Sequence, residues 1–526
     1  MNRLKVLDVT LRDGGCVNNF NFGSTYMNKI LHALEVAQVD IVELGYIDEK
    51  KGTTKDRTQY LNEKCIETSI NLKKKPGIEY VAMIDYGKFD IDKLQKRSLN
   101  GIDGIRLAFH KKDRFDAIEL GKKIIDKGYS FYVQPMITLR YSDNELLELI
   151  EFVNKNIPRA AAFYIVDSFG EMRSNDMSRI MNLVDYNLNS DIAIGFHSHN
   201  NLQLSYSNAV SLLQFSTNRE VIIDSSIMGM GKGAGNLNTE LLLEHLNMYY
   251  EKKYSIAPLL EVIDEVVNQI HSEFYWGYAV EYYLSSVNHC TPSYASYFYN
   301  KHMLPIEKVG ELLSLIEENK KISFDAEYAE MLYRKYNENK TINDEEVIKT
   351  IKEIFSGKEV LLVAPGKSVE IKEKEIEQFI REKKVITIGL NINRKFDYVI
   401  TTRAEMFQEL VESGVNVITT SNVTKEKRSG VMIVDYGKWI DVAEETHDSS
   451  AVIIMNLLKK CNVGKMYLAG FDGFSININQ NYCDPYLRHP VSEEQANRRN
   501  KYYKNFITNM KKEGINIEFV TSSKYE

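Results

Sequence analysis

The chain has 526 residues and a net charge of −7, with 66 Lys and Arg set against 73 Asp and Glu. Because the basic residues are interspersed with acidic ones, and because no apolar run approaches the roughly 20 residues that cross a bilayer, nucleic acid and membrane partners are not expected. The five cysteines are widely spaced and odd in number, which favours reduced thiols over a disulfide framework. We therefore expect a soluble, cytoplasmic protein of about two or three domains.

Eight short apolar runs recur through the first half of the sequence and alternate with segments of helical spacing, such as 26–37 and 143–154. Strands that alternate with crossover helices are typical of a parallel sheet, and eight such units close most economically into a (β/α)8 TIM barrel. The predicted strands are 6–11, 41–44, 80–84, 104–109, 130–137, 162–166, 193–196 and 221–223.

The second half starts with helices and ends in another series of strands. Helices are predicted at 241–250 and 257–271, and an aromatic segment, WGYAVEYYLSS, follows from Trp276. Charged helical patterns continue to Phe355, and VLLVAPGKSV then opens a Rossmann-like α/β pattern with further strands at 385–390, 398–401, 415–419, 431–434, 465–469 and 515–520. The predicted domains are a barrel over 1–290, a helical connector over 291–355 and a Rossmann-like domain over 356–526.

Two histidines one residue apart, His197 and His199, lie in the stretch AIGFHSHNNL. Because side chains alternate along a strand, both rings can face one cation. Asp13, in LDVTLRDGG after the first predicted strand, can join them at the C-terminal ends of the strands, the catalytic face of a TIM barrel. Two imidazoles and a carboxylate form a facial metal site with about three open positions, and this pattern favours an enzyme over a polar strand edge.

A cation at this site can chelate a 2-oxo acid and stabilise the enolate of its neighbouring carbon. Arg12, beside Asp13, adds a positive charge for the same oxygen. Arg106 and His110 follow the fourth predicted strand and can face the same mouth. An ordinary salt bridge is the alternative for Arg12, and a plain structural role is the alternative for the other two residues.

In these residues the chain resembles the metal-dependent aldolase, lyase and Claisen-synthase barrels, which include 4-hydroxy-2-oxovalerate aldolases, HMG-CoA lyases and isopropylmalate synthases. The resemblance covers about residues 3–290. Its anchors are DVTLRDGG, VELGY, IRLAFH, VDSFG, GFHSHNNL and DSSIMGMGKGAGN. VDSFG, GMGKGAGN and WGYAVEYY are most similar to the pyruvate aldolases of the group.

The resemblance implies that small 2-oxo acids and aldehydes are the substrates and that Mn²⁺ or Mg²⁺ binds to Asp13, His197 and His199. It also implies that Arg12 stabilises a pyruvate enolate, that Ser168 contacts the oxo acid, and that a tyrosine lies near the aldehyde. The predicted site residues besides the metal ligands are Arg12, Ser168, Tyr278, Tyr282 and His110 for catalysis, and Arg106, Asn200 and Gly233 for substrate binding.

The chain departs from those aldolases at the acid–base position. They carry a histidine soon after the metal aspartate as general base, whereas Gly14, Gly15 and Cys16 follow Asp13 here. The proton acceptor therefore stays open among a metal-bound water, His110, a tyrosine and Cys16, because any candidate needs both reach and a suitable pKa.

The C-terminal pattern is a second departure. VLLVAPGKSV and DSSAVIIMNLLKKCNVGKMYLAGFDGF are loosely similar to Rossmann-like modules of bacterial surface-glycan proteins and some sialyltransferases. This similarity implies a role in assembling an unusual surface sugar. The turn APGKS at the end of the first strand of this domain separately predicts a nucleotide or nucleotide-sugar, because helix N-terminal amides at Gly366, Lys367 and Ser368 can hold a phosphate. A plain strand-to-helix turn is the alternative.

Three functions are compatible with these patterns. The first is a divalent-metal aldolase acting through a pyruvate-type enolate, and the second is a Claisen synthase that condenses an acyl-CoA with a 2-oxo acid and releases free thiol. The third is a non-catalytic barrel whose C-terminal domain binds a nucleotide-sugar. The combination of Arg12, Asp13, His197 and His199 argues against the third. A homodimer is compatible with such a barrel.

Overall fold

The computed structural model divides into two compact units, Met1–Pro292 and Ser293–Glu526. The finer division at residues 290 and 355 stays a prediction. The residues that the structure describes are 4–53, 55–70, 72–250, 252, 254–300, 304, 306–338, 341–440, 449–483 and 493–526.

Parallel strands form a closed barrel in the first unit. The strands described there are β1 (Leu4–Asp8), β2 (Ile41–Ile47), β3 (Gln59–Tyr60), β4 (Glu79–Asp85), β5 (Gly104–Phe109), β6 (Ser130–Pro135), β7 (Ala162–Asp167), β8 (Ala193–Ser198) and β9 (Val221–Ser225). The order around the barrel is β1-β2-β4-β5-β6-β7-β8-β9, and β9 pairs with β1 to close it. The short β3 pairs only at the end of β2. All eight predicted strands are therefore confirmed, and so is the TIM barrel.

Amphipathic helices surround the barrel. In the helix from Asp143 to Asn156, the buried residues Leu146, Leu149, Ile150 and Val153 recur at helical spacing, and Ser142 with Glu145 forms a capping box at its start. The helices of this unit are α1 (Gly23–Ala37), α2 (Glu63–Ser69), α3 (Arg114–Asp126), α4 (Asp143–Asn156), α5 (Ser174–Asn187), α6 (Ser205–Gln214), α7 (Thr239–Tyr249), α8 (Ala257–Val262), α9 (Asn268–Glu273) and α10 (Val280–Val287).

Side chains fill the interior of the barrel. Leu7, Val81 and Ile222 belong to one buried cluster there, together with Tyr132 and Tyr164, whose ring centroids are 6.4 Å apart. A filled barrel is a core and not a pore, so a substrate has to bind at an end of the strands.

The second unit contains a parallel sheet of the predicted α/β type. Its described strands are β10 (Glu359–Val363), β11 (Ile386–Leu390), β12 (Tyr398–Thr401), β13 (Asn416–Thr420), β14 (Val431–Val434), β15 (Lys465–Ala469) and β16 (Ile517–Phe519), in the order β14-β13-β12-β11-β10-β15-β16. The helices from residue 292 onward are α11 (Pro292–Asn300), α12 (Ile306–Ser314), α13 (Ala326–Glu338), α14 (Glu345–Phe355), α15 (Ser368–Ile371), α16 (Glu373–Lys383), α17 (Ala404–Ser413), α18 (Tyr436–Trp439), α19 (Ser450–Lys460) and α20 (Glu493–Lys512). Among the helices described in the two units, none is both long and apolar enough to cross a membrane.

Candidate active site

Asp13, His197 and His199 come together at the carboxyl end of the barrel. Their ligand atoms all lie within 4.8 Å of one another, and all three residues are buried. His199 directly follows β8, whereas His197 lies inside that strand and not beyond its end as predicted. Asp13 lies in the turn after β1, at the start of a short 3-10 helix over Gly14–Cys16. The three side chains therefore meet as their spacing predicts, and metal binding by them stays a prediction.

Asp13 is held as an anion by its neighbours. Its Oδ1 accepts a hydrogen bond from Arg12 Nη1 at 2.7 Å, and its Oδ2 accepts one from Asn236 Nδ2 at 2.7 Å. Burial by itself would raise the pKa of Asp13, but the charge of Arg12, the hydrogen bond from Asn236 and, at low pH where they are protonated, the two histidines outweigh it and hold that pKa well below its ordinary value. Asp13 therefore offers a carboxylate oxygen to a cation.

Each of the two imidazoles can offer a ring nitrogen to a cation. His197 Nδ1 lies 2.9 Å from Asp224 Oδ2, so Nδ1 is the donor of this hydrogen bond and Nε2 is the ring nitrogen suited to a cation. Burial lowers the pKa of His199 to about 4, so this ring is neutral at neutral pH. Its Nδ1 is buried and has no hydrogen-bond partner within the described residues. A divalent ion would satisfy that atom, and so the donor set fits such an ion.

A buried network of alternating charges lies beneath the site and connects Asp13 with His197. Glu43 Oε2 accepts hydrogen bonds from Arg12 Nε at 2.7 Å and from Arg106 Nη1 at 2.8 Å. Arg106 Nη2 donates to Asp224 Oδ2, the same oxygen that contacts His197. In order, the network runs through Asp13, Arg12, Glu43, Arg106, Asp224 and His197.

The charges of this network suit an anionic substrate. Its three carboxylates and two guanidinium groups sum to −1 when both histidines are neutral, and a divalent ion would make the sum +1. In addition, Arg12 Nη2 is buried without a hydrogen-bond partner in the described parts of the chain. A buried donor of this kind costs free energy unless a ligand occupies it, so the position is suited to a substrate oxygen.

The sequence predicts that Arg106 binds substrate at the mouth of the barrel. The structure places it elsewhere. It lies within β5, its side chain is fully buried, and its guanidinium lies 4.8 Å from the ring centroid of Tyr164. Because Glu43 and Asp224 already take its donors, direct substrate contact has no support in this geometry. The side chain instead holds Asp224, and through it the ring of His197.

Replacing Arg106 by methionine is expected to destabilise the barrel by about 3–5 kcal/mol, because Glu43 and Asp224 would lose the charge that compensates their burial. Denaturant unfolding of the full chain measures this change. Arg179→Met is the matched control, since Arg179 forms an exposed ion pair with Asp143 and should cost less than about 1 kcal/mol. Equal stability of the two variants would contradict the structural role of the network.

Ser168 and His110 lie at the carboxyl end of the barrel, as predicted. Ser168 follows β7, and its Oγ accepts a hydrogen bond from the Ile137 amide at 3.0 Å. His110 follows β5 and is half-buried. Their catalytic roles stay predictions.

Asn200 and Gly233 have structural contacts that account for their presence. Asn200 Oδ1 accepts from the Ser205 amide at 3.3 Å, at the start of α6. Gly233 has φ +69°, and a Cβ there would lie 2.9 Å from Asn201 Oδ1. The glycine thus allows the loop to approach Asn201, and substrate binding by either predicted residue stays a prediction.

The aromatic segment after α9 lies against the glycine-rich loop. Trp276 Nε1 donates to the carbonyl of Met228 at 3.0 Å. Tyr278 is half exposed, whereas Tyr282 is half-buried on α10. A position of either tyrosine near the aldehyde stays a prediction.

Sequence reasoning gave no role to several residues that support the site, namely Glu43, Asp224, Gly231 and Asn236. Each nevertheless lies in an anchor motif: Glu43 in VELGY and the other three in DSSIMGMGKGAGN. A Cβ on Gly231 would lie 2.7 Å from Asp13 Oδ2 and 2.3 Å from Asn236 Nδ2. A glycine is therefore required here so that Asn236 can reach Asp13.

The predicted phosphate position in APGKS is occupied by a carboxylate of the protein. The Ser368 amide donates to Asp472 Oδ2 at 2.6 Å, and a Cβ on Gly366 would lie 2.1 Å from the carbonyl oxygen of Gly470. Because Asp472 already satisfies the start of α15, the helix N-terminus gives no support to phosphate binding. The turn alternative fits these contacts, and a nucleotide ligand stays a prediction.

Comparisons with known proteins point to the same class of barrel. Residues 108–266 match the family model described as HMGL-like. The 4-hydroxy-2-oxovalerate aldolase of Bacillus thuringiensis is 27% identical over 267 residues, covering 50% of this chain and 76% of that protein. The 4-hydroxy-2-oxovalerate aldolase 2 of Comamonas testosteroni is 26% identical over 246 residues, covering 46% and 67%. The sequence resemblance to these aldolase and lyase barrels is confirmed.

A solved structure supports the fold. A variant of the carboxyl transferase domain of Rhizobium etli pyruvate carboxylase, determined with pyruvate, aligns with a TM-score of 0.50 and 12% identity, covering 67% of this chain and 65% of that chain. At this identity the likeness concerns the fold alone.

Proposed function

We propose that the barrel is a divalent-metal-dependent aldolase that makes or breaks a carbon–carbon bond beside a pyruvate-type enolate. The observation that carries this proposal is the convergence of Asp13, His197 and His199 next to Arg12, whose Nη2 lacks a partner in the described structure. The names of the curated relatives support the same reaction class. The candidate ions are Mn²⁺ and Mg²⁺, and the two imidazoles suit Mg²⁺ less because it prefers oxygen ligands.

Each residue of the site has a distinct task in this reaction. Asp13, His197 and His199 hold the ion, which when bound polarises the carbonyl of a 2-oxo acid. Arg12 Nη2 donates to the oxygen that becomes negative in the enolate, and its salt bridge to Glu43 fixes the guanidinium beforehand. Ser168 donates its hydroxyl proton to the carboxylate of the 2-oxo acid.

In the cleavage direction, the substrate is a 4-hydroxy-2-oxo acid. Its hydroxyl loses a proton, the C3–C4 bond breaks, and the electron pair of that bond enters the enolate of pyruvate while C4 becomes an aldehyde. Protonation at C3 completes the reaction. Condensation is the reverse, so the same site serves both directions. A place in surface-glycan assembly is a prediction from the C-terminal pattern only.

The purified full chain with Mn²⁺ is expected to cleave 4-hydroxy-2-oxovalerate to pyruvate and acetaldehyde. Both products can be followed with coupled NADH-dependent dehydrogenases. A chelator should abolish the activity, and added Mn²⁺ should restore it, because the ion supplies the charge that stabilises the enolate.

Two other results would each overturn the aldolase proposal in favour of another function. Thiol release from acetyl-CoA in the presence of a 2-oxo acid, without pyruvate formation from the hydroxy acid, would favour a Claisen synthase. Inertness towards both substrate sets, with Mn²⁺ bound, would favour a non-catalytic barrel.

A further inference from the structure

The proposed aldol reaction requires a group that accepts the hydroxyl proton. Asp13 is followed by Gly14, Gly15 and Cys16, and of these only Cys16 has a titratable side chain. That side chain is exposed, and an ordinary thiol is mostly protonated at neutral pH. The charge of Asp85 acts on the same thiol, which identifies a carboxylate in the neighbourhood of Cys16.

Strand register places Asp85 at the mouth of the barrel. Asp85 is the last residue of β4 and pairs with Ala108 of β5. Arg106, two residues before Ala108, faces the barrel interior, since it contacts Glu43 and Asp224. Because side chains alternate along a strand, Ala108 and its partner Asp85 face the same interior, one layer nearer the carboxyl end. Asp85 is half-buried there and accessible, unlike the fully enclosed carboxylates below it.

A bulge in β2 brings a tyrosine to this carboxylate. The pairing of β2 with β4 shifts register between Glu43 and Tyr46, and Gly45 within the shift has φ +146°. A Cβ on Gly45 would lie 2.2 Å from the carbonyl oxygen of Thr58, so only glycine fits. Residues three apart face opposite sides of a regular strand, and the bulge allows both Glu43 and Tyr46 to face the interior.

Tyr46 is placed by a ring contact and by strand register. Its ring stacks on Phe20 with centroids 6.0 Å apart, and it pairs with Met83, which lies two residues before Asp85 on the same face of β4. Phe20 in turn lies over Gly15, where a Cβ would be 2.3 Å from the ring. The pair of Tyr46 and Asp85 therefore borders the loop that carries the metal aspartate.

The surroundings of Asp85 favour a proton acceptor. Burial raises the pKa of Asp85, and Tyr46, Arg12, His110 and Lys88 oppose that change only in part. These groups come from the elements around it: β2, the turn after β1, and the segments that follow β5 and β4. A carboxylate whose pKa moves towards neutrality is a more effective general base.

We propose that Asp85 is the catalytic acid–base of the aldehyde side, with Tyr46 as its positioning residue, an inference that rests on the proposed aldolase function. In cleavage, a carboxylate oxygen of Asp85 takes the proton of the C4 hydroxyl as the C3–C4 bond breaks and its electron pair enters the enolate. In condensation, the protonated Asp85 returns that proton to the new alkoxide at C4.

Asp85→Asn is expected to slow cleavage of 4-hydroxy-2-oxovalerate by about 10² to 10⁴, the usual contribution of a positioned acid–base group. Manganese content and the metal-dependent exchange of pyruvate methyl protons in D₂O should change by less than about threefold, since neither involves the C4 hydroxyl. Tyr46→Phe should give a smaller loss of the same kind. Asp116→Asn, at an exposed position on α3, is the matched control and should behave as wild type.

The outcomes separate this inference from the function on which it rests. Cleavage by Asp85→Asn within about threefold of wild type would overturn the acid–base role. Equal losses of cleavage and pyruvate exchange would also overturn it, since the residue would then serve the enolate and not the hydroxyl. If wild type exchanges pyruvate protons but neither cleaves the hydroxy acid nor adds an aldehyde, Asp85 has no aldehyde step to serve and the inference fails. Absence of exchange and cleavage in wild type would refute the aldolase itself.

Discussion

Alanine at His197 or at Asp13 is expected to abolish both stoichiometric Mn²⁺ binding and catalysis. In the proposed site each residue supplies one of three protein ligands, and the loss of supporting residues alone costs about 10- to 100-fold in metal affinity, so the loss of a ligand should exceed that range. Metal analysis of the purified variants and titration calorimetry with Mn²⁺ measure the effect. His199→Ala should behave in the same way.

The control for these variants is His32→Ala, because His32 is exposed on α1. This variant should retain the manganese content and the activity of wild type. Full metal occupancy in the His197 and Asp13 variants would show that the cluster is not the metal site.

Replacing Arg12 by alanine is expected to slow the exchange of pyruvate methyl protons by about 10² to 10³, the usual loss when one donor to a developing negative charge is removed. Nη2 of Arg12 is the buried donor without a partner in the described residues, and the other nitrogens of this side chain hold Asp13 and Glu43. Exchange is measured by proton NMR in D₂O at saturating Mg²⁺.

Arg12→Lys separates charge from geometry in the same assay. Lysine keeps a positive charge but lacks the planar fork that contacts Glu43 and Asp13 while offering a third nitrogen to the substrate. We expect exchange by Arg12→Lys to lie between that of wild type and that of Arg12→Ala. A rate for Arg12→Ala equal to that of wild type, with metal bound, would exclude Arg12 from enolate stabilisation.

The barrel could be predicted because its strands are buried on both sides. Such strands consist of nearly continuous apolar residues, as in VIID and AIGF, and the polar residues that follow them mark one end of the sheet. The spacing of His197 and His199 then identified a shared face. These signals are local in sequence, and each is readable within about ten residues.

The residues that position the site could not be predicted, because their roles depend on contacts between segments that are distant in the sequence. Arg106 has the appearance of a charged residue near a strand end, and only the folded barrel shows that Glu43 and Asp224 enclose it. In the second unit, Ser368 meets Asp472, which lies 104 residues later and takes the position expected for a phosphate. Asp85 ends an apolar strand without a motif, and the bulge at Gly45 gives it a tyrosine partner.

Metal-dependent enolisation of pyruvate is the most direct test of the central claim, because it tests the ion and Arg12 on a 2-oxo acid without an aldehyde, and the methyl proton passes to a base in exchange with the solvent. Incubation of the full chain with pyruvate and Mg²⁺ in D₂O should replace the methyl protons with deuterium, as followed by NMR, and a chelator should stop the exchange. Exchange with 2-oxobutyrate but not with pyruvate would correct the donor and retain the chemistry. If the metal-loaded protein exchanged the protons of no 2-oxo acid while it released thiol from acetyl-CoA, the aldolase proposal would be contradicted in favour of a Claisen synthase.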